Sequence, residues 1–324
     1  MSRFKIVIAD YYYADQNAEN EEYKALGDVE IVDCTGLVPG GVKDPEQLIA
    51  YAKDADALVV QFARIDQAFI NRLEHCKVIA RYAIGVDTID VAAAKAKGIC
   101  IANVPDYCVP EVADTAAMHI LNAVRKLTIT RDMLLNDQFD MNAVGPIFRM
   151  EDATLALIGF GHIARDLYAK MRAFFARVVA YDPYFTATDS YPEVQFLSLD
   201  DALAAGDVVS LHVPLNPHTQ GMIGKVQFAA MKDGAILINT ARGSLVDEDE
   251  MFHALESGKL GFCGLDVVNT EDFIHSRFLR HPRVALTPHV AWRSTEAQME
   301  LQRKTAKNVV SALLTGRPTY LVNP

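Results

Sequence analysis

No run of this 324-residue sequence approaches the ~18 consecutive apolar residues that a membrane-crossing helix needs. The apolar opening Ile6-Val7-Ile8-Ala9 stops at Asp10, too short for a secretory leader. Cysteine is scarce: Cys34, Cys76, Cys100, Cys108 and Cys263 are odd in number, far apart and without a CxxC pair. They fit neither a disulfide framework nor a thiolate metal centre, and read as small core residues in a reducing compartment. Dense lysine and arginine blocks are missing and the formal net charge is -11, so a nucleic-acid ligand would lack its basic footprint. No Ser-His-Asp set, cysteine nucleophile, metal-ligand cluster, low-complexity tract or short repeat stands out. These absences lead to the expectation of a cytoplasmic protein without a metal, membrane or nucleic-acid partner.

What is present is a core. The chain is 51% hydrophobic and 23% charged, and its length suits two domains of ~100–200 residues each. Short apolar runs at 4–9, 57–61, 78–81 and 99–104 alternate with segments of helical spacing, PEQLIAYAKD, DQAFINRLEH and DVAAAKAKG. A second series, TLALIG, VVAYD, DVVSLHV, AILINTA, CGLDVV and VALTPH, starts at Thr154, with helices expected at 162–175 and 247–257. Strands alternating with helices predict α/β units built on parallel sheets. Between the series, one long helix is expected over 111–135, followed by QFDMNAVGPIFRMED, whose exposed apolar residues suit a dimerisation arm. A last helix at 296–314 would pack back on the first unit and make that domain discontinuous.

LALIGFGHIA, residues 155–164, runs from a strand through Gly159-Phe160-Gly161 into a helix beginning at His162 and Ile163. About twenty residues on, the next strand ends at Asp182. That context gives the glycines a dinucleotide-binding meaning. Gly159 permits the tight turn, Gly161 lets pyrophosphate reach the backbone, and the helix offers free N–H groups and a positive dipole end. Ala164 takes the position of close helix–strand packing. Asp182 would accept from both adenosine ribose hydroxyls. No Lys or Arg occurs from 183 to 224 to neutralise a 2′-phosphate, so NAD is expected over NADP.

Three later segments place polar residues at strand ends, where open α/β sheets bind ligands. ILINTARGSLVDEDE carries Arg242, GLDVVNTED carries Asp266 and Glu271, and VALTPHVAW carries His289. Arginine can grip a carboxylate with two prongs. A histidine can trade a proton at neutral pH, and a glutamate beside it can orient the ring and favour the imidazolium. His212 and Pro214, ending DVVSLHV, are expected to line the cofactor.

The chain resembles the D-isomer-specific 2-hydroxyacid dehydrogenases over nearly its whole length. RYAIGVDTIDV, NVPDYCVPEVADTAAM, LALIGFGHIA, AYDPY, GAILINTARGSLVDE, GLDVVNTED and TPHVAW look like that family's signature blocks in its order. DYCVPEVAD and PHVAW are most similar to its phosphoglycerate dehydrogenase and C-terminal binding protein branch. The resemblance implies two Rossmann-like domains. One is an NAD-binding doubly wound parallel sheet at 104–296 with a dimerisation arm. The other is a smaller flavodoxin-like substrate domain at 1–103 and 297–324. It implies an active site in the cleft and homodimers formed through the cofactor domains.

By resemblance, Arg242 matches the substrate-binding arginine, His289 the acid/base and Glu271 its partner. Asp266 matches the residue that holds the nicotinamide amide. Thr240, Ala241, His212, Pro214 and Ala291 fall in stretches lining NAD, and Ile84 and Gly85 in the loop that holds the substrate carboxylate. The implied reaction interconverts a 2-oxo acid and a D-2-hydroxy acid. The chain departs from the family pattern at Val268, Asn269 and Asp272, at Ala83 and at Arg293, and the last two touch substrate choice. Two alternatives remain: a formate dehydrogenase, which has Gln where this chain has Glu271, and a nucleotide-sensing, corepressor-like scaffold.

Overall fold

The computed structural model describes residues 4–324, with Thr188 described by its backbone alone. The first series of elements is β1 (Phe4–Ile8), α1 (Asn17–Tyr23), β2 (Val29–Asp33), α2 (Pro45–Ala52), β3 (Ala57–Val60), α3 (Gln67–Arg72), β4 (Val78–Arg81), α4 (Val91–Ala96) and β5 (Cys100–Ala102). Helices start where the sequence supplies caps: Asp44, Asp66 and Asp90 each accept a backbone N–H from the first turn of α2, α3 and α4. The strands form a parallel sheet in the order β2-β1-β3-β4-β5, a flavodoxin-like winding.

The second series is α5 (Val109–Arg125), α6 (Leu127–Leu135), β6 (Thr154–Ile158), α7 (His162–Met171), β7 (Arg177–Tyr181), β8 (Val194–Phe196), α8 (Leu199–Ala205), β9 (Val208–Leu211), α9 (Lys225–Ala230), β10 (Ala235–Asn239), α10 (Glu248–Glu256), β11 (Leu260–Leu265) and β12 (Val284–Leu286). Its parallel sheet runs β12-β11-β10-β9-β6-β7-β8. The order reverses between β6 and β9, the doubly wound Rossmann pattern. The middle strands are buried on both faces: Leu155 and Leu157 of β6 enter one core cluster, Ala156 and Ile158 the other. Each fully buried Leu or Ile contributes about 1.5–3 kcal/mol. The last helix, α11 (Thr295–Thr315), packs on α1 and β4 of the first series.

The chain forms two compact units, Met1–Tyr107 with Ser294–Pro324, and Cys108–Arg293. Three features differ from the sequence reading. The single helix expected over 111–135 is two helices, broken at Lys126, whose φ is 59°. Asn122 causes the break: its Oδ1 accepts the Thr128 N–H at 2.9 Å, so a side chain replaces the helical backbone partner. The strands β2 and β8 were not anticipated. Both lie at sheet edges and neither is fully buried, so neither carries the strong apolar run of a central strand.

Candidate active site

The second unit's strands are parallel, so their carboxyl ends share one edge of the sheet. Six neighbouring strands, β12, β11, β10, β9, β6 and β7, lead at that edge to His289, Asp266, Arg242, His212, Gly159 and Asp182 respectively. Residues up to 130 positions apart in sequence thereby line up along the carboxyl ends of one sheet.

At the reversal between β6 and β9, Gly159 has φ +90° and a Cβ there would sit 2.7 Å from the His212 carbonyl oxygen. Only glycine fits this turn. Gly161 needs no such freedom, but nothing lies within 4 Å of where its Cβ would be. This opening faces the start of α7, which no side chain caps. His162 is exposed at that start, Ile163 is partly buried, and Ala164 is fully buried against the sheet. Asp182 Oδ2 accepts the Phe160 N–H at 2.8 Å and Oδ1 accepts the Tyr184 N–H at 2.9 Å, so the glycine turn and the acid are fixed together. Burial pushes the His212 imidazole down to about 4, and its Nε2 meets Ser210 Oγ at 2.8 Å. The exposed Pro214 gives its carbonyl to the Thr219 hydroxyl at 2.7 Å. Thr240 is buried and its hydroxyl is unpartnered. An open glycine cradle, an uncapped helix start, an acid at the next strand and an orphaned hydroxyl suit a dinucleotide.

At the neighbouring strand end, Asn239 holds the turn after β10. Its Oδ1 accepts the Ala241 N–H at 3.0 Å and its Nδ2 donates to the Arg242 carbonyl at 2.9 Å. Arg242 Nη1 donates to the Ala241 carbonyl at 2.7 Å. Gly243 admits the neighbouring loop: a Cβ on it would stand 2.2 Å from the Val268 carbonyl carbon. The divergent Val268-Asn269 segment docks there, and the Asn269 N–H reaches Glu248 Oε1 at 2.6 Å. Past it, Glu271 Oε1 meets His289 Nδ1 at 2.7 Å. Both residues have left-handed backbones, φ 54° and 53°, which side chains rarely adopt and which surrounding contacts must hold. The pair is partly open to solvent, with side-chain exposures of 30% for His289 and 46% for Glu271.

Asp266 supplies the contacts that hold His289. It is fully buried, which raises its pKa. Oδ1 accepts the Thr287 hydroxyl at 2.5 Å and the Val290 N–H at 3.1 Å, Oδ2 accepts the Ala291 N–H at 2.9 Å, and its carbonyl accepts the His289 N–H at 2.8 Å. Thr287, Asn239 and Ser210 carry no sequence signal of their own: Asn239 and Ser210 act on neighbours within three positions, and Thr287 acts on Asp266, 21 positions away. The remaining candidates, Ile84 and Gly85, belong to the first unit. There the Ile84 carbonyl accepts Asn103 Nδ2 at 2.6 Å and the Gly85 carbonyl accepts Arg81 Nη1 at 2.8 Å.

Residues 117–291 match the family model described as D-isomer specific 2-hydroxyacid dehydrogenase, NAD binding domain. A hydroxypyruvate reductase of Blautia hydrogenotrophica is 29% identical over 326 residues, spanning 98% of this chain and 99% of that protein. One from Thermotoga maritima is 34% identical over 274 residues, 83% of this chain and 89% of the relative. Among solved structures, a glyoxylate reductase from Paecilomyes thermophila superposes with a TM-score of 0.86 at 28% identity, covering 99% of both chains.

Proposed function

The chain belongs to the D-isomer specific 2-hydroxyacid dehydrogenase family, and we propose that Arg242, Glu271 and His289 carry out its reaction on a small 2-oxo acid. It is an NAD-dependent oxidoreductase interconverting 2-oxo and D-2-hydroxy acids. The cofactor supplies the hydride for reduction and takes it up in oxidation. Gly159, Gly161, His162, Ile163 and Asp182 would hold its adenosine and pyrophosphate. His212, Pro214, Thr240, Ala241, Asp266 and Ala291 would hold the rest. On this reading the second unit is the cofactor domain and the first the substrate domain.

Arg242 binds the substrate carboxylate and polarises the carbonyl oxygen, which gains negative charge as the carbon is reduced. With Nδ1 engaged by Glu271, His289 has Nε2 left for the substrate. In reduction Nε2–H gives its proton to the nascent alkoxide, and in oxidation the neutral Nε2 takes the hydroxyl proton. Glu271 orients the ring and stabilises its charged state. Ile84 and Gly85 are assigned to the carboxylate on the family resemblance. The observation that carries this reading is the 2.7 Å Glu271–His289 pair at the same sheet edge as the glycine cradle.

The similarity to hydroxypyruvate and glyoxylate reductases points to a two- or three-carbon oxo acid. The test is NADH oxidation with a panel containing both compounds. The corepressor-like alternative has no observation in its favour, and Glu271 stands against the formate dehydrogenase. We further propose a homodimer. Leu127, Leu134, Leu135, Phe139 and Met141, on α6 and the arm after it, are 61–82% exposed, and a second copy would cover them; sedimentation reads the outcome. Five free cysteines fit a cytoplasmic setting.

A further inference from the structure

His119 sits in the middle of α5, 1% exposed, where no cofactor- or substrate-binding role has been assigned to it. The sheet makes room for it. A Cβ at Gly264 of β11 would stand 2.7 Å from His119 Cβ. Its Nε2 lies 3.2 Å from Thr287 Oγ1, and its Nδ1 is buried without a partner.

The proton positions follow from the acceptors. A carboxylate can only accept, so the Thr287 hydroxyl spends its proton on Asp266 Oδ1 at 2.5 Å. Thr287 Oγ1 is then an acceptor toward His119, which places the ring proton on Nε2 and leaves a bare lone pair on the unpartnered Nδ1. Burial pushes this imidazole down to about 4, so it stays neutral at working pH.

We propose that His119 is a positioning residue for the reaction. Its Nε2–H holds Thr287, Thr287 holds the Asp266 carboxylate, and Asp266 fixes the backbone of the loop that carries His289. The chain of bonds joins a helix core to a left-handed residue whose conformation needs external support. The proposal rests on the acid/base role given to His289.

The test compares His119→Leu, His119→Gln and Thr287→Val by oxo-acid reduction, with melting temperature as a control for folding. His119→Leu removes the donor. It should lower kcat about tenfold, with the oxo-acid KM nearly unchanged, because a misplaced acid slows chemistry more than binding. The glutamine amide can donate to Thr287 and should recover most of the loss. Thr287→Val cuts the same chain, so His119→Leu added to it should cost little more. Multiplying losses, a glutamine variant no better than leucine, or wild-type kcat in folded His119→Leu would each overturn the proposal. If the leucine variant does not fold, His119→Gln and Thr287→Val decide: the relay predicts near wild-type kcat for the glutamine variant and about a tenfold loss of kcat at unchanged oxo-acid KM for Thr287→Val, and wild-type kcat in folded Thr287→Val would overturn it.

A second readout is independent of turnover. In ¹⁵N-histidine spectra His119 should be the neutral Nε2–H tautomer from about pH 5.5 to 8, and an Nδ1–H tautomer would refute the relay. A protein with that tautomer but without turnover on any oxo acid would overturn the acid/base role of His289 and leave the bonding scheme standing.

Discussion

Replacing Asp182 by alanine separates recognition of the cofactor from support of the glycine turn. Asp182 is half-buried, and backbone N–H groups from Phe160 and Tyr184 fix its two oxygens at 2.8 and 2.9 Å. A 2′-phosphate placed against it brings a charge of about −1.5 to −2. Two unit charges ~4 Å apart near a surface repel by roughly 4 kcal/mol. With solvent screening, about 3 kcal/mol against NADPH is a reasonable figure, on the order of a hundredfold. The wild type should prefer NADH by that factor. If Asp182 holds the ribose as proposed, Asp182→Ala also removes charge-assisted bonds to its hydroxyls, of about 1.5–3 kcal/mol each before water replaces them. NADH kcat/KM should fall about thirty- to a hundredfold while NADPH changes by no more than about threefold, since the repulsion disappears as the turn loosens. Initial rates with both cofactors, one oxo acid and constant ionic strength measure this. Equal wild-type kcat/KM for the two would refute the reasoning. A parallel fall with both would reduce Asp182 to a support for Phe160.

Arg242→Lys keeps the charge and loses the planar fork, so the oxo-acid KM should rise and kcat fall, each on the order of tenfold or more, with NADH affinity unchanged in a fluorescence titration. Glu271→Gln keeps a hydrogen bond but removes the charge 2.7 Å from His289. Reduction should therefore lose about tenfold in kcat with the oxo-acid KM little changed, and a kcat equal to wild type would remove Glu271 from the site. Stability should itself depend on pH through His119, held at about 4. An unfolded histidine takes up its proton near pH ~6.5, so the unfolded state binds more protons between those values and stability falls as pH drops through that window. The buried carboxyls Asp10, Glu19 and Asp266, whose pKa values are raised, act in the opposite sense. The clean comparison is therefore wild type with His119→Gln, whose melting temperature should fall less steeply from pH 6.5 to 4.

Much of the fold could be read in the chain because central parallel strands are apolar on both faces, as in TLALI and AILIN. The edge strands β2 and β8 lack that mark. The break at Lys126 depends on the Asn122 side chain, which helical periodicity does not register. For the site, residue types and strand ends were legible, while their alignment was not. The sheet order sets which ends are neighbours, and crossovers rather than local sequence set the order. Glu271 illustrates this. The atypical Val268-Asn269 segment gave no sign of where its loop would go, and the space left by Gly243 is a tertiary fact. The His119–Thr287 bond spans 168 positions and was invisible for the same reason.

The central claim is that a histidine held by a glutamate exchanges a proton with a 2-oxo acid. It is tested most directly by NADH oxidation with hydroxypyruvate, glyoxylate and larger oxo acids, for wild type and His289→Gln. Wild type should turn over at least one of them. His289→Gln should lose on the order of a thousandfold in kcat, within the range for a lost general acid, and bind NADH with little change. Contradiction would come from a wild type that binds NADH and reduces none of the acids, or from a His289→Gln enzyme that keeps its rate.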